Sequence, residues 1–472
     1  MVQIDQNIAA ADLSKRLADL WQVSKKSIDL LRANWNPEKG TPVFTQAGSY
    51  TSRGWTEWTQ GFQYGCALIL FEATGDEAYL EYGRAETLAR MAPHLTHTGV
   101  HDHGFNNVST YGNLLRMMSE GTIPEDAWQR EYYELALKLS GAVQASRWTA
   151  LPDGIGYVPS FNGAHSLFSD TIRSMRSLAL AHQLGHVLMG EQDTKISLLA
   201  RLLEHAEATA RYNVYYGGTA DAPARDSYDI RGRVVHESIF NTVSGAYRCP
   251  STQQGYSPFT TWTRGHSWVL AGYPEELEWL EGITDADVQA SGYRVARVGE
   301  IRDRYVEVAR AVADFFIEQT PTDGIPYWDT GAPGLARMGD YLDRPADPYN
   351  DHEPVDSSAA AISAQGLLRP GNYLSRHGDA EAGTRYTQCG LTVARTLLAD
   401  PYLSRGESHE GILLHTVYHQ PNGWDYVAPG QKVPNGESAM WGDYHLMELG
   451  LYLQRLADGR EPQRFFDIGR KA

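Results

Sequence analysis

The chain has few cysteines and no long apolar run. Cys66, Cys249 and Cys389 are far apart and have no CxxC spacing, which argues against a disulfide framework or a thiolate metal site. No stretch approaches the ~18 to 20 uninterrupted apolar residues of a membrane helix. The amino-terminal residues also lack the basic segment, apolar run and cleavage site of a secretory signal. We therefore expect a soluble protein of a reducing compartment, the cytoplasm, with no membrane partner.

Acidic residues outnumber basic residues in this chain. The 41 Lys and Arg against 58 Asp and Glu give a formal charge of −17, and nucleic acid is a poor partner for such a chain because its recognition needs a positive field. The motifs GxxxxGK[ST], GxGxxG, HExxH and GxSxG are missing, which removes the main support for nucleotide, zinc-protease and serine-hydrolase chemistry. No cofactor and no metal is predicted, and the oligomeric state is left open.

Helical periodicity dominates the chain. Apolar residues recur at helical spacing near 11–34, 55–73, 76–92, 126–146, 169–188, 192–212, 259–273, 302–319, 357–368, 381–399 and 438–456. Strand-like alternation is confined to short pieces such as 233–243 and 411–418, which predict β-hairpins in long loops. About a dozen helices indicate an all-α protein, and this is the number that an (α/α)6 barrel needs.

The segments between the helices are long and rich in Gly, Pro and Asn. They lie near 35–54, 94–109, 150–166, 213–232, 320–356 and 419–437. Loops of this length are usually functional. No composition break or low-complexity linker divides the chain, so we expect a single domain over 1–472. The 12 Trp and 27 Tyr suit either a large core or stacking on sugar rings.

Two aspartates are candidates for acid and base chemistry. Asp102 lies between His101 and His103 in a loop, where it could instead accept backbone N–H groups in a turn. Asp170 begins an amphipathic helix, where its structural alternative is the N-cap. Arg173, one helical turn on, would lower the pKa of Asp170 if the two paired, or could bind a substrate carboxylate.

A second group of candidates follows between 232 and 268. His236 lies in a predicted short strand, and Gln254 lies in the segment that leads to the next helix. Arg264 and Trp268 share one helical face at i, i+4, so that a cation lies beside a ring. This pair is typical of a site for a sugar acid, but it also occurs for stability alone.

Read in order, these segments resemble the unsaturated glucuronyl hydrolases of glycoside hydrolase family 88, and more distantly the rhamnogalacturonyl hydrolases. The similarity spans about 55 to 456, and the order of the motifs carries it more than any single one. The matching segments are Trp55 to Phe62 (W-x-x-G-F), His101 to Phe105 (H-D-x-G-F), Asp170, Thr252 to Tyr256 (T-Q-Q-G-Y), Trp262 to Trp268 (W-x-R-G-x-x-W), Ile325 to Asp329 (P-x-W-D), Asp356 to Ala360 (D-S-S-A-A) and Trp441 to Tyr444 (G-D-Y).

The resemblance implies an (α/α)6 barrel of the six-hairpin type and a particular chemistry. The substrate is an oligosaccharide whose terminal uronic acid has a C4=C5 double bond left by a lyase. Asp170 would protonate C4 and help water add at C5, and Asp102 would position the ring or the water. His236, Gln254, Trp262, Arg264 and Trp268 match positions that surround the uronate in the family, and Trp58 would form part of the pocket wall. His101, Arg173 and His266 are further candidates for substrate binding, which rest on their own chemistry and not on a match to the family.

The chain also departs from the family pattern. His103 and His266 stand where the family usually has an apolar residue and Gln, and the helix after Asp170 is more polar because of Arg173 and Arg176. These groups could accommodate a sulfate or a second carboxylate. They could also mark a branch that acts on saturated uronides.

Three alternatives remain open at this stage. A conventional glucuronidase would use two carboxylates, Asp102 with Asp170, or less well Asp229, Asp329 or Glu237. A sugar epimerase on a similar barrel would use His residues to move a proton beside a carbonyl. A non-catalytic sugar-binding protein would share the aromatic pocket without needing Asp170.

Overall fold

Helices make up most of the structure. The computed structural model describes residues 1–54, 57–218, 223–466 and 468, so Trp55 of the first matching segment lies outside the described residues. The α-helices are α1 (Ser14–Asn34), α2 (Gln60–Thr74), α3 (Glu77–Arg90), α4 (Ala92–Leu95), α5 (His103–Asn107), α6 (Asn113–Ser119), α7 (Ala127–Ser146), α8 (Thr171–Ser174), α9 (Arg176–Gln183), α10 (Leu198–Tyr212), α11 (Thr263–Leu280), α12 (Asp285–Ser291), α13 (Val298–Gln319), α14 (Ser357–Arg376), α15 (Ala380–Leu397) and α16 (Met440–Ala457).

Shorter elements connect these helices. A π-helical turn, Val108–Gly112, joins α5 to α6. The β-strands are β1 (Phe44–Gln46), β2 (Ser49–Thr51), β3 (Thr149–Ala150), β4 (Gly156–Tyr157), β5 (Ser166–Phe168), β6 (Leu188–Met189), β7 (Lys195–Ile196), β8 (Glu237–Phe240) and β9 (Tyr247–Ser251). The 3-10 turns are Ala10–Leu13, Pro37–Lys39, Glu57–Thr59, Glu191–Asp193, Pro333–Arg337, Tyr341–Asp343 and Gln420–Asn422.

The helices form two concentric rings. The inner ring consists of α2, α5 with α6, α8 with α9, α11, α14 and α16, each in contact with the next, and it closes because α16 packs against α2. The outer ring consists of α1, α3, α7, α10, α13 and α15, each of which precedes an inner helix in the chain and packs against the inner ring. The predicted all-α (α/α)6 barrel is therefore confirmed.

Inner helices are buried on every side. All residues of α11 are buried, and so is most of α14, as expected for helices that line the core of a large protein. No helix among the described residues is long and apolar enough to cross a bilayer.

A small antiparallel sheet gathers residues from three distant segments. Strand β8 pairs with β5 and β9, so that Phe168 lies opposite Glu237, and Glu237 lies opposite Ser251. The residues just beyond these pairs, Asp170, His236 and the segment after Ser251, therefore meet at one end of the sheet. A strand within 233–243 was predicted correctly. The predicted hairpin over 411–418 is wrong, because that segment has an irregular backbone with one isolated bridge between Leu403 and Leu413.

A glycine sets the spacing of the two inner helices that follow the candidate aspartates. A Cβ on Gly104, in α5, would lie 2.4 Å from the carbonyl oxygen of Ser174, at the end of α8. The amide N–H of Gly104 also donates to Ser174 Oγ at 2.8 Å. Because the obstacle is backbone, the two helices must move apart to admit a side chain.

Gly104→Ala is therefore expected to destabilise the protein by about 1–3 kcal/mol, the usual cost of overpacking a core. It should also lower activity, because it displaces α5 and α8 together with the residues that precede them. Gly299→Ala is the matched control, since a Cβ there meets nothing within 4 Å. Denaturant unfolding of both variants measures the effect. A Gly104→Ala protein as stable and active as the control would contradict the tight contact between α5 and α8.

Candidate active site

A pocket opens where the inner helices begin. Trp58 precedes α2, Asp102 precedes α5, Asp170 precedes α8 and Trp262 precedes α11, so that these side chains converge at one end of the inner ring. The cavity has a volume of about 220 Å³. It is lined by the aromatic residues Trp58, Phe105, Phe161, Trp262, Trp268, Tyr418 and Trp424, the ionisable residues Glu57, His97, His101, Asp102, Asp170, Arg264 and His419, and Val100, Asn106, Gln253, Gln254 and Asn422.

One imidazole connects the two candidate carboxylates. His101 Nε2 lies 3.3 Å from Asp170 Oδ1 and 3.7 Å from Asp102 Oδ1. Both aspartates are 8% exposed, and His101 is 2% exposed. Since both oxygens contact the same nitrogen, the two carboxylates act on one another electrostatically and on any ligand that enters the pocket.

Neither aspartate caps the helix that it precedes. Asp102 and Asp170 occupy the N-cap positions of α5 and α8, but neither side chain accepts a hydrogen bond from the following backbone. By contrast, Asp356 occupies the N-cap of α14 and accepts from the amides of Ser358 and Ala359. The structural alternative for Asp170, an N-cap, is therefore wrong, and both carboxylates remain available for other contacts.

The electrostatic environment shifts the pKa values of the two aspartates in opposite directions. Burial raises the pKa of Asp102 above its ordinary value, and the charge of Asp170 adds to this effect while His101 opposes it. Burial also acts to raise the pKa of Asp170, but His101 and His236 outweigh it, so that the pKa of Asp170 lies below its ordinary value. The pKa of His101 is raised, because Asp102 and Asp170 outweigh the effect of burial. In the free protein Asp170 therefore favours the ionised form more than Asp102 does.

His236 lies directly behind the pocket wall. Its ring packs between Phe168 and Trp262, with centroid distances of 4.5 and 4.6 Å. The backbone amides of Gln253 and Gln254 approach His236 Nδ1 at 3.1 and 3.4 Å. Because Nδ1 accepts these bonds, we assign the proton of the neutral ring to Nε2. Burial lowers the pKa of His236 to about 4, so that the ring is neutral near pH 7.

Arg264 is fully engaged by the protein. Its guanidinium donates to Asp356 Oδ2 at 3.0 Å, and to the carbonyl oxygens of Val417 and Tyr418. It also donates to Gln254 Oε1 at 3.0 Å, which leaves the amide nitrogen of Gln254 as the donor on the pocket side. Arg264 therefore anchors the 417–418 loop and orients Gln254.

The tryptophans form the apolar part of the pocket. The Arg264 guanidinium lies 4.8 Å from the ring centres of both Trp262 and Trp441, so its stacking partners differ from the predicted Trp268. Trp268 packs instead against Phe105, with a centroid distance of 4.9 Å. Trp58 is partly buried and stacks on Trp441 at 5.1 Å.

Arg173 lies outside the pocket. It is fully buried one helical turn below Asp170, where its Nε contacts Glu275 at 2.7 Å and its Nη2 contacts Glu448 at 3.0 Å. It neither pairs with Asp170 nor reaches a ligand, because two carboxylates on neighbouring inner helices neutralise it. Arg176 joins the same ion network. The structure thus corrects the placement of Arg173 in the substrate site.

His266 also lies outside the pocket. Arg264 and Trp268 lie one helical turn apart on the face of α11 that lines the pocket. His266 lies two positions from each of them, so its side chain lies on another face of the helix. His266 accordingly points toward the outer helix α13, 5.3 Å from the ring of Phe315. His103 contacts Ser140 and the carbonyl oxygen of His97. The two histidines that depart from the family pattern therefore support the fold and do not reach a ligand.

The other carboxylates considered for a conventional glucuronidase are used elsewhere. Asp229 accepts the amides of Gly217 and Arg225, and Asp329 accepts those of Tyr256 and Gly331. Glu237 accepts from Ser166 and Asn162. None of these three carboxylates is among the described residues that line the pocket. Asp102 and Asp170 are thus the pair that any acid and base chemistry here would use.

Sequence reasoning missed one side of the pocket. Tyr418, His419, Asn422 and Trp424 come from the loop before α16 and line the cavity. The available signal is the long Gly-rich and Asn-rich stretch near 419–437, which indicates a functional loop but does not single out its residues. No spacing rule places a loop of this kind, because its position depends on contacts such as those of Arg264 with Val417 and Tyr418.

Curated relatives resemble this chain over most of its length. An "unsaturated glucuronyl hydrolase" of Bacillus sp. (strain GL1) is 26% identical over 415 residues, covering 86% of this chain and 88% of that protein. A protein of the same name from Formosa agariphila is 23% identical, covering 83% of this chain and 78% of that protein. An "unsaturated chondroitin disaccharide hydrolase" of Streptococcus pyogenes is 24% identical, covering 86% of this chain and 84% of that protein. No protein-family model matches the chain.

Solved structures support the fold. The crystal structure of the Bacillus sp. GL1 unsaturated glucuronyl hydrolase superposes with a TM-score of 0.68 at 21% identity, covering 95% of this chain and 100% of that one. An unsaturated glucuronyl hydrolase specific for heparin superposes with a TM-score of 0.65 at 21% identity, covering 93% of this chain and 97% of that one. A Streptococcus agalactiae enzyme complexed with dGlcA-GalNAc6S gives a TM-score of 0.60 at 18% identity, covering 95% of this chain and 92% of that one.

Proposed function

We propose that the chain, a divergent relative of the unsaturated glucuronyl hydrolases, is a hydrolase that removes a 4,5-unsaturated uronic acid from the non-reducing end of lyase-generated oligosaccharides. The observation that carries the proposal is the pair Asp102 and Asp170, bridged by His101 at the base of an aromatic pocket. A single catalytic domain spanning 1–472 is part of the proposal.

The pocket suits one terminal sugar. Its volume of about 220 Å³ is below the ~300 Å³ at which pockets for drug-sized ligands begin, which favours a single sugar ring as the group bound. Trp58, Trp262 and Trp268 offer flat apolar surfaces to such a ring. The Gln254 amide N–H groups, directed by Arg264, supply hydrogen-bond donors for a carboxylate.

The proposed reaction is hydration of a vinyl ether. Asp170 donates a proton to C4, and water attacks C5, with its released proton returning to the Asp170 carboxylate. The resulting hemiketal opens by cleavage of the bond between C5 and the ring oxygen, which leaves a hemiacetal at C1. That hemiacetal expels the adjoining sugar, so that the products are a 4-deoxy-5-keto uronic acid and a shortened oligosaccharide.

Substrate binding prepares Asp170 to be the acid. In the free protein its pKa is lowered by His101 and His236. The carboxylate of the uronic acid brings another negative charge beside Asp102 and Asp170 and displaces water from the pocket. Both effects favour the neutral carboxylic acid, so that a proton is present on the pair when the substrate is bound. Asp102 supports this step by positioning the ring or the water.

A conventional glucuronidase is the second candidate. Asp102 Oδ1 and Asp170 Oδ1 are at most about 7 Å apart, because both contact His101 Nε2 at 3.7 and 3.3 Å. This span overlaps the separation of ~5 to 9.5 Å between the two carboxyl groups of ordinary glycosidases. The geometry is therefore also compatible with a conventional glucuronidase, and a substrate test distinguishes this activity from the proposed hydration.

A panel of lyase-generated unsaturated disaccharides tests the proposal. We expect the wild-type protein to abolish the ultraviolet absorbance of the conjugated double bond on at least one member, and the preferred member identifies the adjoining sugar. Saturated glucuronides of the same linkages serve as the comparison. Release of glucuronate from the saturated set, with no absorbance loss on any unsaturated member, would replace the hydration proposal with the conventional glucuronidase.

A further inference from the structure

His101 occupies an unusual position between the two carboxylates. One Nε2 atom lies within 3.7 Å of both Asp102 and Asp170, and a single N–H at this nitrogen can donate to only one of them at a time. The other ring nitrogen, Nδ1, is buried and has no hydrogen-bond partner among the described residues. The ring therefore directs all of its polar interaction toward the aspartate pair.

The ring of His101 is fixed in place. It stacks on Phe161 with an interplanar angle of 19° and meets the edge of Phe168. Its backbone carbonyl accepts from Gln144 Nε2 at 2.7 Å, and Gln144 Oε1 accepts from the hydroxyl of Ser174 at 3.2 Å. Because Ser174 ends the helix that follows Asp170, His101 and Asp170 are held by one network of contacts.

We infer, on the basis of the proposed function, that His101 is a positioning residue that joins Asp102 and Asp170 into one proton-sharing unit and sets the pH range in which that unit carries a carboxyl proton. This role differs from direct substrate binding, the role that the sequence suggests for His101. The side chain is 2% exposed, and its Nε2 lies within ion-pair distance of both carboxylates, at 3.3 and 3.7 Å.

The surrounding charges leave His101 as the cation shared by the pair. The groups that face it or its partners are Asp102, Asp170, His97, Arg147, His205 and His236, and His97 acts on Asp102 from the pocket wall. Burial lowers the pKa of His236 to about 4 and that of His205 to about 3, so that both are neutral near pH 7. Arg147 acts on Asp102. His101 alone of these groups contacts both aspartates in the described structure.

Removing the imidazole should raise the pKa at which the aspartate pair loses its last proton. A cation within ~4 to 6 Å lowers the pKa of a carboxyl group by ~1 to 3 units. Without His101, Asp102 and Asp170 repel one another with no imidazolium in contact with both, while Arg147 still acts on Asp102, and the pair retains its last proton to higher pH. We therefore expect the alkaline limb of the pH profile of kcat/KM to move upward by about 1 pH unit in His101→Phe.

His101→Phe preserves the ring that packs on Phe161 and Phe168, and His101→Gln is the second variant in case the first is poorly folded. The matched control is His103→Gln, which removes a neutral ring, since burial lowers the pKa of His103 to about 4. We expect no shift of the alkaline limb in that control, whatever its effect on stability. An unshifted limb in both His101 variants, with only a lower rate or a higher KM, would overturn the inference.

An infrared titration of the substrate-free protein separates this inference from the proposed function. The carbonyl stretch of protonated buried carboxyl groups is followed against pH, and Asp102→Asn and Asp170→Asn assign the bands. We expect the band of the aspartate pair to persist to higher pH in His101→Phe than in the wild type. An unchanged midpoint would overturn the role of His101, whereas absence of turnover on the whole disaccharide panel would reject only the proposed function.

Discussion

Asp170→Asn is expected to lower the rate of unsaturated disaccharide turnover by at least ~100-fold, the usual contribution of a positioned acid. The amide has nearly the same size as the carboxyl group, but it cannot donate a carboxyl proton to C4. Asp170 makes no cap hydrogen bond, and its observed contact is with His101 Nε2 at 3.3 Å, so the substitution leaves the helix start intact. Initial rates from the loss of ultraviolet absorbance give the measurement.

Further variants show whether the expected loss of turnover in Asp170→Asn is specific to the pocket. Asp229→Asn is the matched control, because Asp229 accepts backbone amides of Gly217 and Arg225 outside the pocket, and we expect it to retain most of the activity. Asp102→Asn should also be impaired, and the double variant should lose far less than the product of the two single losses if the pair acts as a unit. A fully active Asp170→Asn would instead favour a sugar-binding protein or an enzyme that uses another acid.

Glu448→Gln is expected to destabilise the protein by about 3–5 kcal/mol, the cost of removing one partner from a buried ion pair. Glu448 is 2% exposed and contacts Arg173 at 3.0 Å and Arg176 at 3.9 Å. Its loss leaves Glu275 as the remaining carboxylate in contact with both arginines among the described residues. Uncompensated positive charge would then remain at the centre of the inner ring, and the midpoint of denaturant unfolding measures the effect.

An exposed ion pair serves as the control for Glu448. Lys432 and Asp351 are 2.6 Å apart but mostly exposed, so that Lys432→Ala should change the free energy of unfolding by less than about 1 kcal/mol. The pKa of Glu448 is lowered because Arg173 and Arg176 outweigh burial. Its stabilising contribution is therefore present above the ordinary glutamate pKa of ~4.3 and is lost as the pH falls toward the folded-state value. Equal losses of unfolding free energy in Glu448→Gln and Lys432→Ala would contradict the proposed contribution of the buried ion network to stability.

The helices were predictable because their apolar periodicity is strong, but two of their ends were placed too early, each near a proline. The predicted helices 259–273 and 357–368 stop before Pro274 and Pro370, whereas α11 and α14 continue through these prolines to Leu280 and Arg376. Proline lacks an N–H and normally breaks a helix. Both prolines are buried in the inner ring, so packing there outweighs the loss of one hydrogen bond in each helix.

The short inner helices were less predictable. Strand β5 leads into Asp170, and the predicted helix 169–188 is in fact α8 followed by α9, ending at Gln183. The segment from α5 to α6 was not predicted as a helix at all, because its polar sequence around Asn106 and Asn107 lacks clear apolar periodicity. Both asparagines are buried, where they hydrogen-bond to other elements of the barrel.

The candidate site was predictable in its residue types but not in every placement. Motif order led to Asp102, Asp170, Gln254 and the tryptophans, which converge in the pocket. The match of a guanidinium to a carboxylate also suggested Arg173, which the structure places in the ion network with Glu275 and Glu448. Sequence spacing gives the separation of residues along a helix, but the direction in which a helix face points depends on its neighbours in the ring.

The most direct test of the account is turnover of the preferred unsaturated disaccharide in deuterated water, followed by nuclear magnetic resonance at early times. Hydration predicts one deuteron at C4 of the released uronic acid, loss of the double bond and a keto group at C5. Release of a uronic acid that retains its double bond and carries no deuterium at C4 would contradict hydration and show that the glycosidic bond is cleaved directly.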